Sequence, residues 1–205
     1  EKNVVEAEID ILKEMGVVFK TNTEVGKDVS LDDLRKQGFK AFYLAIGAQG
    51  GRKLGLENED AKGVIAGVEF LRDVNLGKKS ALHGKVIVIG GGNVAIDVAR
   101  TAVREGAESV AMYCLEARNE MPALDEEIEE ALEEDIVINN SWGPKRIISK
   151  DGKVTGIVLK KCVSVFDKDK KFNPKYDENE TITVDADFVL LSVGQSIDWG
   201  GLLTD

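Results

Sequence analysis

An α/β fold built on a parallel sheet is what this sequence predicts, and three observations predict it. Two apolar runs suited to strands buried on both faces, Lys85–Ile89 and Phe188–Val193, are each followed by a glycine, Gly90 and Gly194. The first leads into a stretch of helical spacing from Asn93 to Glu105, closed by Gly106, and then into a second strand-like run, Ser109–Glu116. Before the last strand the chain breaks this alternation with an antiparallel excursion, marked by the hairpin turn Asp151-Gly152.

The elements follow in order. Val5, Ile9 and Leu12 share one helical face, and Gly16 is a natural stop. Val17–Phe19 reads as a short strand. Ser30 is a helix cap before Leu31, with that helix ending near Gly38. Phe39–Ile46 reads as a strand buried on both faces, ending in Gly47-Ala48. Residues 49–82 read as a mixed crossover, with a helix over Gly67–Val74 and a solvated Gly77-Lys78-Lys79. A domain boundary is expected there, so that 1–48 closes one domain, 83–197 forms a second, and 198–205 begins the return to the first. Within the second domain, Leu124–Glu134 is an acidic helix whose charges are expected to form a solvated face. Ile136–Ile138 returns as a strand. Arg146–Ile148 and Val154–Leu159 pair as a hairpin, Asp167–Asn179 is a polar loop, and Glu180–Val184 is a third antiparallel strand.

Composition narrows the function. Of 205 residues, 43% are hydrophobic and 31% charged, which suits a soluble globular chain, and the net charge of −10 argues against a nucleic-acid binder. No apolar run approaches a membrane span and no signal peptide is visible, so a cytoplasmic protein without membrane association is expected. Cys114 and Cys162 each fall in a strand-like run and read as reduced, buried thiols; there is no C-x-x-C. His83, the single histidine, reads as a surface residue. No metal-ligand spacing is present, so no metal is expected.

The chemistry lies in Val86-Ile87-Val88-Ile89-Gly90-Gly91-Gly92-Asn93-Val94-Ala95, which fits G-x-G-x-x-A, a permitted dinucleotide fingerprint. Gly90 allows the tight turn out of the strand, Gly92 lets a pyrophosphate approach the backbone, and Ala95 lets the helix pack closely. The first-turn amides and the helix dipole then face the phosphates. A glycine triplet alone is weak evidence, but a strand directly before it and a helix directly after it are what the fingerprint requires. Glu116, at the end of the next strand, lies 26 positions after Gly90. A carboxylate there accepts hydrogen bonds from the ribose hydroxyls of NAD and repels the 2′-phosphate of NADP, so NAD(H) is favoured over NADP(H). Arg118 stands close enough in sequence to reach a phosphate or stack on adenine, which leaves NADP(H) open. An S-adenosylmethionine-dependent methyltransferase also places a glycine turn and an acid on successive strands. The close-packing Ala95 and the antiparallel excursion weigh against it. A stand-alone nucleotide-binding or regulatory module without flavin remains a further alternative.

Gly90-Gly91-Gly92-Asn93-Val94-Ala95-Ile96-Asp97-Val98-Ala99-Arg100, followed by Arg118-Asn119-Glu120-Met121-Pro122-Ala123 and the acidic helix, resembles the glutamate synthase small-subunit family. The same family includes part of dihydropyrimidine dehydrogenase and the large subunits of electron-bifurcating ferredoxin:NADP oxidoreductases. Gly16-Val17, Thr21-Asn22-Thr23 and Ala45-Ile46-Gly47-Ala48 resemble the closing part of that family's FAD domain, and Ala186-Asp187, Val193-Gly194-Gln195 and Asp198 resemble the return to it. The resemblance implies a Rossmann-like three-layer dinucleotide-binding domain, with parallel sheet and antiparallel β-meander, inserted in a partial FAD-binding domain. It implies hydride passing from NAD(P)H to an FAD held by the full-length protein, with electrons continuing through iron–sulfur domains or an electron-accepting partner subunit beyond this chain. It places Gly90, Gly91, Gly92, Asn93, Val94 and Ala95 at the pyrophosphate and Glu116 and Arg118 at the adenosine ribose. Met121 and Pro122 fall beside that ribose, and Gly47, Ala48, Gly194 and Gln195 near the flavin–nicotinamide junction. In many members a pair of arginines stands where this chain has Leu115-Glu116, a departure that agrees with the carboxylate argument. The FAD domain's own glycine-rich motif and the cluster cysteines are not in this sequence, so the piece by itself is expected to be inactive.

Overall fold

A computed structural model of the protein describes residues 2–203. Glu1, Thr204 and Asp205, the outermost residues of the expected first and last segments, lie outside the described residues. The chain divides into two units, one made by 1–45 with 198–205 and the other by 46–197. Among the described residues no helix is long and apolar enough to cross a membrane.

The first unit holds two helices. Helix α1 (Lys2–Glu14) stops before Gly16, which takes φ +91°. Helix α2 (Leu31–Lys36) begins in a capping box. The Ser30 hydroxyl accepts the Asp33 N–H at 3.0 Å and the Asp33 carboxylate accepts the Ser30 N–H at 3.3 Å, which satisfies two amides that the helix leaves free. The strands expected at Val17–Phe19 and Phe39–Ile46 do not form. A strand exists only through a ladder partner, and the bridge Val25–Val29 is the one β pairing among this unit's described residues. Both segments run as irregular chain, with Tyr43 94% and Phe39 56% exposed. Gly26 meets the Gly201 backbone so closely that a Cβ would overlap it, which ties the returning segment to the 24–29 turn.

The second unit has three layers. In chain order its elements are β1 (Gly50–Gly51), β2 (Val64–Ala66), α3 (Gly67–Asn75), β3 (Lys85–Ile89), α4 (Asn93–Arg104), β4 (Ser109–Cys114) and α5 (Asp125–Glu133). Then come β5 (Val137–Asn140), β6 (Trp142–Lys150), β7 (Lys153–Phe166), β8 (Phe172–Asp185), β9 (Phe188–Leu191) and β10 (Gln195–Ser196). The central sheet is parallel, in the order β2-β9-β3-β4-β5; β6-β7-β8 form a separate antiparallel sheet and β1 pairs with β10. Within the segment 49–82, expected as a mixed crossover, Val64–Ala66 is the edge strand of the parallel sheet.

Strand periodicity explains the layering. Val86 and Val88 of β3, with Phe188 and Leu190 of β9, face α3, α4 and α5, where Phe70, Ile96, Ala99, Ala102 and Ile128 are buried. Ile87, Ile89, Val189 and Leu191 face the other way, onto Ile147, Val154, Ile157 and Leu159 of the meander. Both faces of the parallel strands are thus covered, as their unbroken apolar sequence requires. Fully enclosed side chains such as Ile96 and Ile157 each contribute about 1.5–3 kcal/mol by leaving water.

The acidic helix is not a wholly solvated face. Arg100 on α4 makes ion pairs with Glu127 and Glu130 and a 2.8 Å hydrogen bond to Glu134, which Arg104 also reaches at 2.6 Å. Burial alone would raise the Glu134 pKa, but hydrogen bonds from Arg100 and Arg104 outweigh it and hold the carboxyl below the usual range. A depressed carboxyl stabilises the fold above its unfolded pKa, and that contribution disappears as pH falls through the folded value. Glu134→Gln is accordingly expected to cost about 1 kcal/mol at neutral pH, measured by urea unfolding, and progressively less as pH falls through the carboxyl's lowered folded pKa. A loss that persists in acid would show that packing, not charge, holds α5.

Candidate nucleotide-binding site

Three glycines link β3 to α4, each for its own reason. Gly90 has φ +145° and donates its N–H to the Tyr113 carbonyl at 3.0 Å; a Cβ there would overlap the Ser192 carbonyl and lie 3.1 Å from the Ala95 methyl. At Gly91 a Cβ would lie 2.7 Å from Glu116 Oε2 and 2.9 Å from Cys114 Cβ. Gly92 is different. Its φ of −95° suits any residue, it caps α4 without a side-chain hydrogen bond, and the nearest atom to a Cβ would be Pro122 Cγ at 3.9 Å. Open space therefore lies over Gly92 beside the first turn of a twelve-residue helix, a cradle that fits a diphosphate.

That cradle opens into a cleft of about 610 Å³, a volume suited to a dinucleotide half. Glu116 lines it, half-buried, and burial pushes its carboxyl above the usual range, with Glu120 adding to the shift. The Glu116 carbonyl accepts Asn140 Nδ2–H at 3.1 Å and Ser141 N–H at 3.0 Å, so the carboxylate stands on a fixed backbone. Cys114 lies beside it, buried, its thiol pushed up to about 12 by burial and by Glu116; it is no nucleophile.

Of the residues predicted for the site, the cleft brings together Gly90, Gly91, Gly92, Glu116, Pro122 and Gly194. Ala48, Val94 and Gln195 line a second cavity of about 280 Å³, with Gln49 and Arg72. The others point elsewhere. Ala95 is fully buried under the turn, where it packs and touches no solvent. Asn93 turns away from the cleft: its Oδ1 accepts the Leu124 N–H at 2.9 Å, and the Ala123 N–H bonds the Gly91 carbonyl, so the 121–124 loop is clasped to the glycine turn. Met121 packs on the helix-side core. Arg118 is exposed and pairs with Asp125 at 3.3 Å. Gly47 has φ +68°, with only Gln49 Nε2 near a Cβ, at 4.0 Å. Arg100 and Arg104, on the same helix as Asp97, both reach across to α5.

Sequence reasoning missed two walls. Leu54 and Leu56 come from a loop whose amides are held by the buried Glu59 carboxylate, at 2.9 and 2.8 Å. Trp142, Pro144, Lys160, Phe172, Pro174 and Tyr176 come from the meander. The signal for the second was present: Phe172, Pro174 and Tyr176 recur at every second position, the period of one strand face.

Comparison with known proteins agrees with this architecture. The family model for pyridine nucleotide-disulphide oxidoreductases matches residues 1–201. The chain is 35% identical over 202 residues to the NADPH-Fe(3+) oxidoreductase subunit beta of Geobacter sulfurreducens, covering 96% of this chain and 30% of that protein. It is 37% identical over 171 residues to the glutamate synthase [NADPH] small chain of Escherichia coli, covering 78% of this chain and 36% of the relative. It thus spans about a third of these curated relatives. Among solved structures, FprA of Mycobacterium tuberculosis superposes with TM-score 0.71 at 22% identity, over 85% of this chain and 54% of its own. Thioredoxin reductase of Lactococcus lactis gives 0.55 at 21%, over 73% and 43%. These two likenesses concern the fold. With a strand–glycine turn–helix at the head of a parallel sheet, a meander on its far face and a family match along nearly its whole length, the chain belongs to the pyridine nucleotide-disulphide oxidoreductase family.

Proposed function

We propose that the second unit binds NADH, with the pyrophosphate on the Gly90–Gly92 turn and the adenosine ribose on Glu116. In the full-length cytoplasmic protein it presents the nicotinamide for hydride transfer. FAD, when bound, supplies the two-electron acceptor, and electrons leave through domains or subunits beyond this chain. The observation that carries the reading is the open backbone at Gly92 with the Glu116 carboxylate in the same cleft. The task of this chain's residues is alignment, since hydride transfer itself requires no side-chain acid or base.

The names of both curated relatives contain NADPH. The choice of NADH here rests on charge. A carboxylate opposes the 2′-phosphate, and three of the nearby cations are already engaged, Arg118 with Asp125, Lys160 with Glu178 and Lys53 with Asp60, while Arg52 also lines the cleft. Calorimetric titration of the chain with NADH and NADPH is expected to give the tighter complex with NADH, by about tenfold. Anaerobic NADH is expected to bleach the flavin of the full-length protein faster than NADPH does. The reverse order in both measurements would overturn the Glu116 assignment.

A further inference from the structure

The antiparallel sheet also forms a wall of the cleft. Strand β8 turns Phe172, Pro174 and Tyr176 into it, β6 adds Trp142 and Pro144, and β7 adds Lys160. The β7–β8 ladder shifts register between Lys160 and Lys161, between Cys162 and Ser164, and between Ser164 and Phe166. Such bulges bend a ribbon and re-aim its side chains, and they fall in the stretch that meets the cleft.

Two features give this wall its chemistry. Its cations lie against aromatic rings: Lys160 Nζ is 2.7 Å from Oε1 of Glu178, a carboxylate it shares with Lys145, and 4.1 Å from the centroid of the Tyr176 ring, and Lys161 Nζ is 4.8 Å from that of Trp142. What remains is apolar and aromatic. Its position is fixed as well. Gly143 is squeezed between Tyr176 and Leu115, since a Cβ there would lie 2.6 Å from the tyrosine Cε1 and 2.7 Å from a leucine methyl. Leu115 immediately precedes Glu116. The cleft therefore runs from the diphosphate cradle, past the ribose carboxylate, to an aromatic surface.

We propose that this meander wall, centred on Tyr176, is the adenine subsite of the cleft. The inference rests on the reading of the cleft as a dinucleotide site. A flat, uncharged heteroaromatic base is the group that a wall of Phe172, Pro174, Tyr176, Trp142 and Pro144 accepts by stacking. The wall thus selects the base while Glu116 selects the sugar.

Calorimetry on the chain tests it with two probes, ADP-ribose, which carries the adenine, and reduced nicotinamide mononucleotide, which does not. Tyr176→Ala is expected to bind ADP-ribose about 10- to 100-fold more weakly, with mononucleotide affinity unchanged, and Tyr176→Phe is expected to match the wild type. If circular dichroism shows Tyr176→Ala unfolded, Phe172→Ser at the 65%-exposed end of the wall is expected to give the same selective loss. Wild-type affinity for ADP-ribose in a folded variant, or an equal loss for both probes, overturns the adenine subsite alone. Failure of the wild-type chain to bind ADP-ribose overturns the dinucleotide reading and the subsite with it.

Discussion

Gly92→Ala is expected to fold like the wild type and to bind NADH about 10- to 100-fold more weakly, whereas Gly90→Ala is expected to fail first as a fold. The two glycines are separated by one residue, and their surroundings differ in kind. At Gly92 the backbone is ordinary for alanine and no atom lies within 3.9 Å of the new methyl, so the folded state has nothing to lose. That empty space is where the diphosphate has to approach the main chain, and a methyl group there forces the ligand back from the amides of the α4 first turn. At Gly90 the φ of +145° is strained for any side chain, and the methyl would overlap the Ser192 carbonyl, which belongs to the neighbouring strand end. Neither obstacle is the flexible end of a side chain, so the turn itself must shift, at a cost of about 2–4 kcal/mol. Thermal unfolding and NADH titration of both variants separate the two effects. A Gly92→Ala protein that binds NADH normally would remove the cradle from the binding site.

The contrast also shows how far sequence carries the argument. Local rules sufficed wherever one element explains itself: the doubly buried apolar runs of β3 and β9, the cap at Ser30, the Asp151-Gly152 hairpin and the strand–glycine turn–helix all stand as read. They did not suffice where a segment depends on a distant partner. Phe39–Ile46 has the composition of a buried strand but finds no ladder among the described residues, while Val64–Ala66, three residues inside an apparent crossover, becomes a strand because β9 offers it one. Strand β8 was hidden for another reason. Lysine, asparagine and Pro174 imitate a loop, yet a proline is tolerated on the edge of a sheet, and β8 is an edge of the meander. Only the fold brings that edge over the cleft. Asn93 illustrates the same limit at one residue: nothing in its place in the fingerprint indicates that its carboxamide holds the 121–124 loop.

Glu116→Gln is expected to make the ligand-free protein slightly more stable at neutral pH, to weaken NADH binding, and to improve NADPH binding by about tenfold or more. The three effects have one cause. Burial raises the Glu116 pKa, with Glu120 adding to it, so the folded chain holds the proton more tightly than the unfolded chain does. For a carboxyl raised in this way the stabilising contribution belongs to the protonated form, present at low pH and lost as pH rises through the folded pKa. At neutral pH the protein therefore carries an ionised group that its surroundings disfavour, and the amide removes that burden. Binding has the opposite sign. Ribose hydroxyls donate to the carboxylate, so NADH favours the ionised form, and ADP-ribose affinity should fall as pH drops through the raised folded pKa of Glu116, by up to about tenfold per pH unit below it. Glutamine should flatten that profile. It also removes a like-charge contact with a 2′-phosphate, worth roughly 1–4 kcal/mol near a protein surface, which is the source of the gain for NADPH. An unchanged NADH:NADPH ratio together with a pH profile identical to the wild type would mean that Glu116 never touches the sugar. A flattened profile with the ratio reversed would show that one carboxylate, kept ionised against its own desolvation, sets the choice of nucleotide.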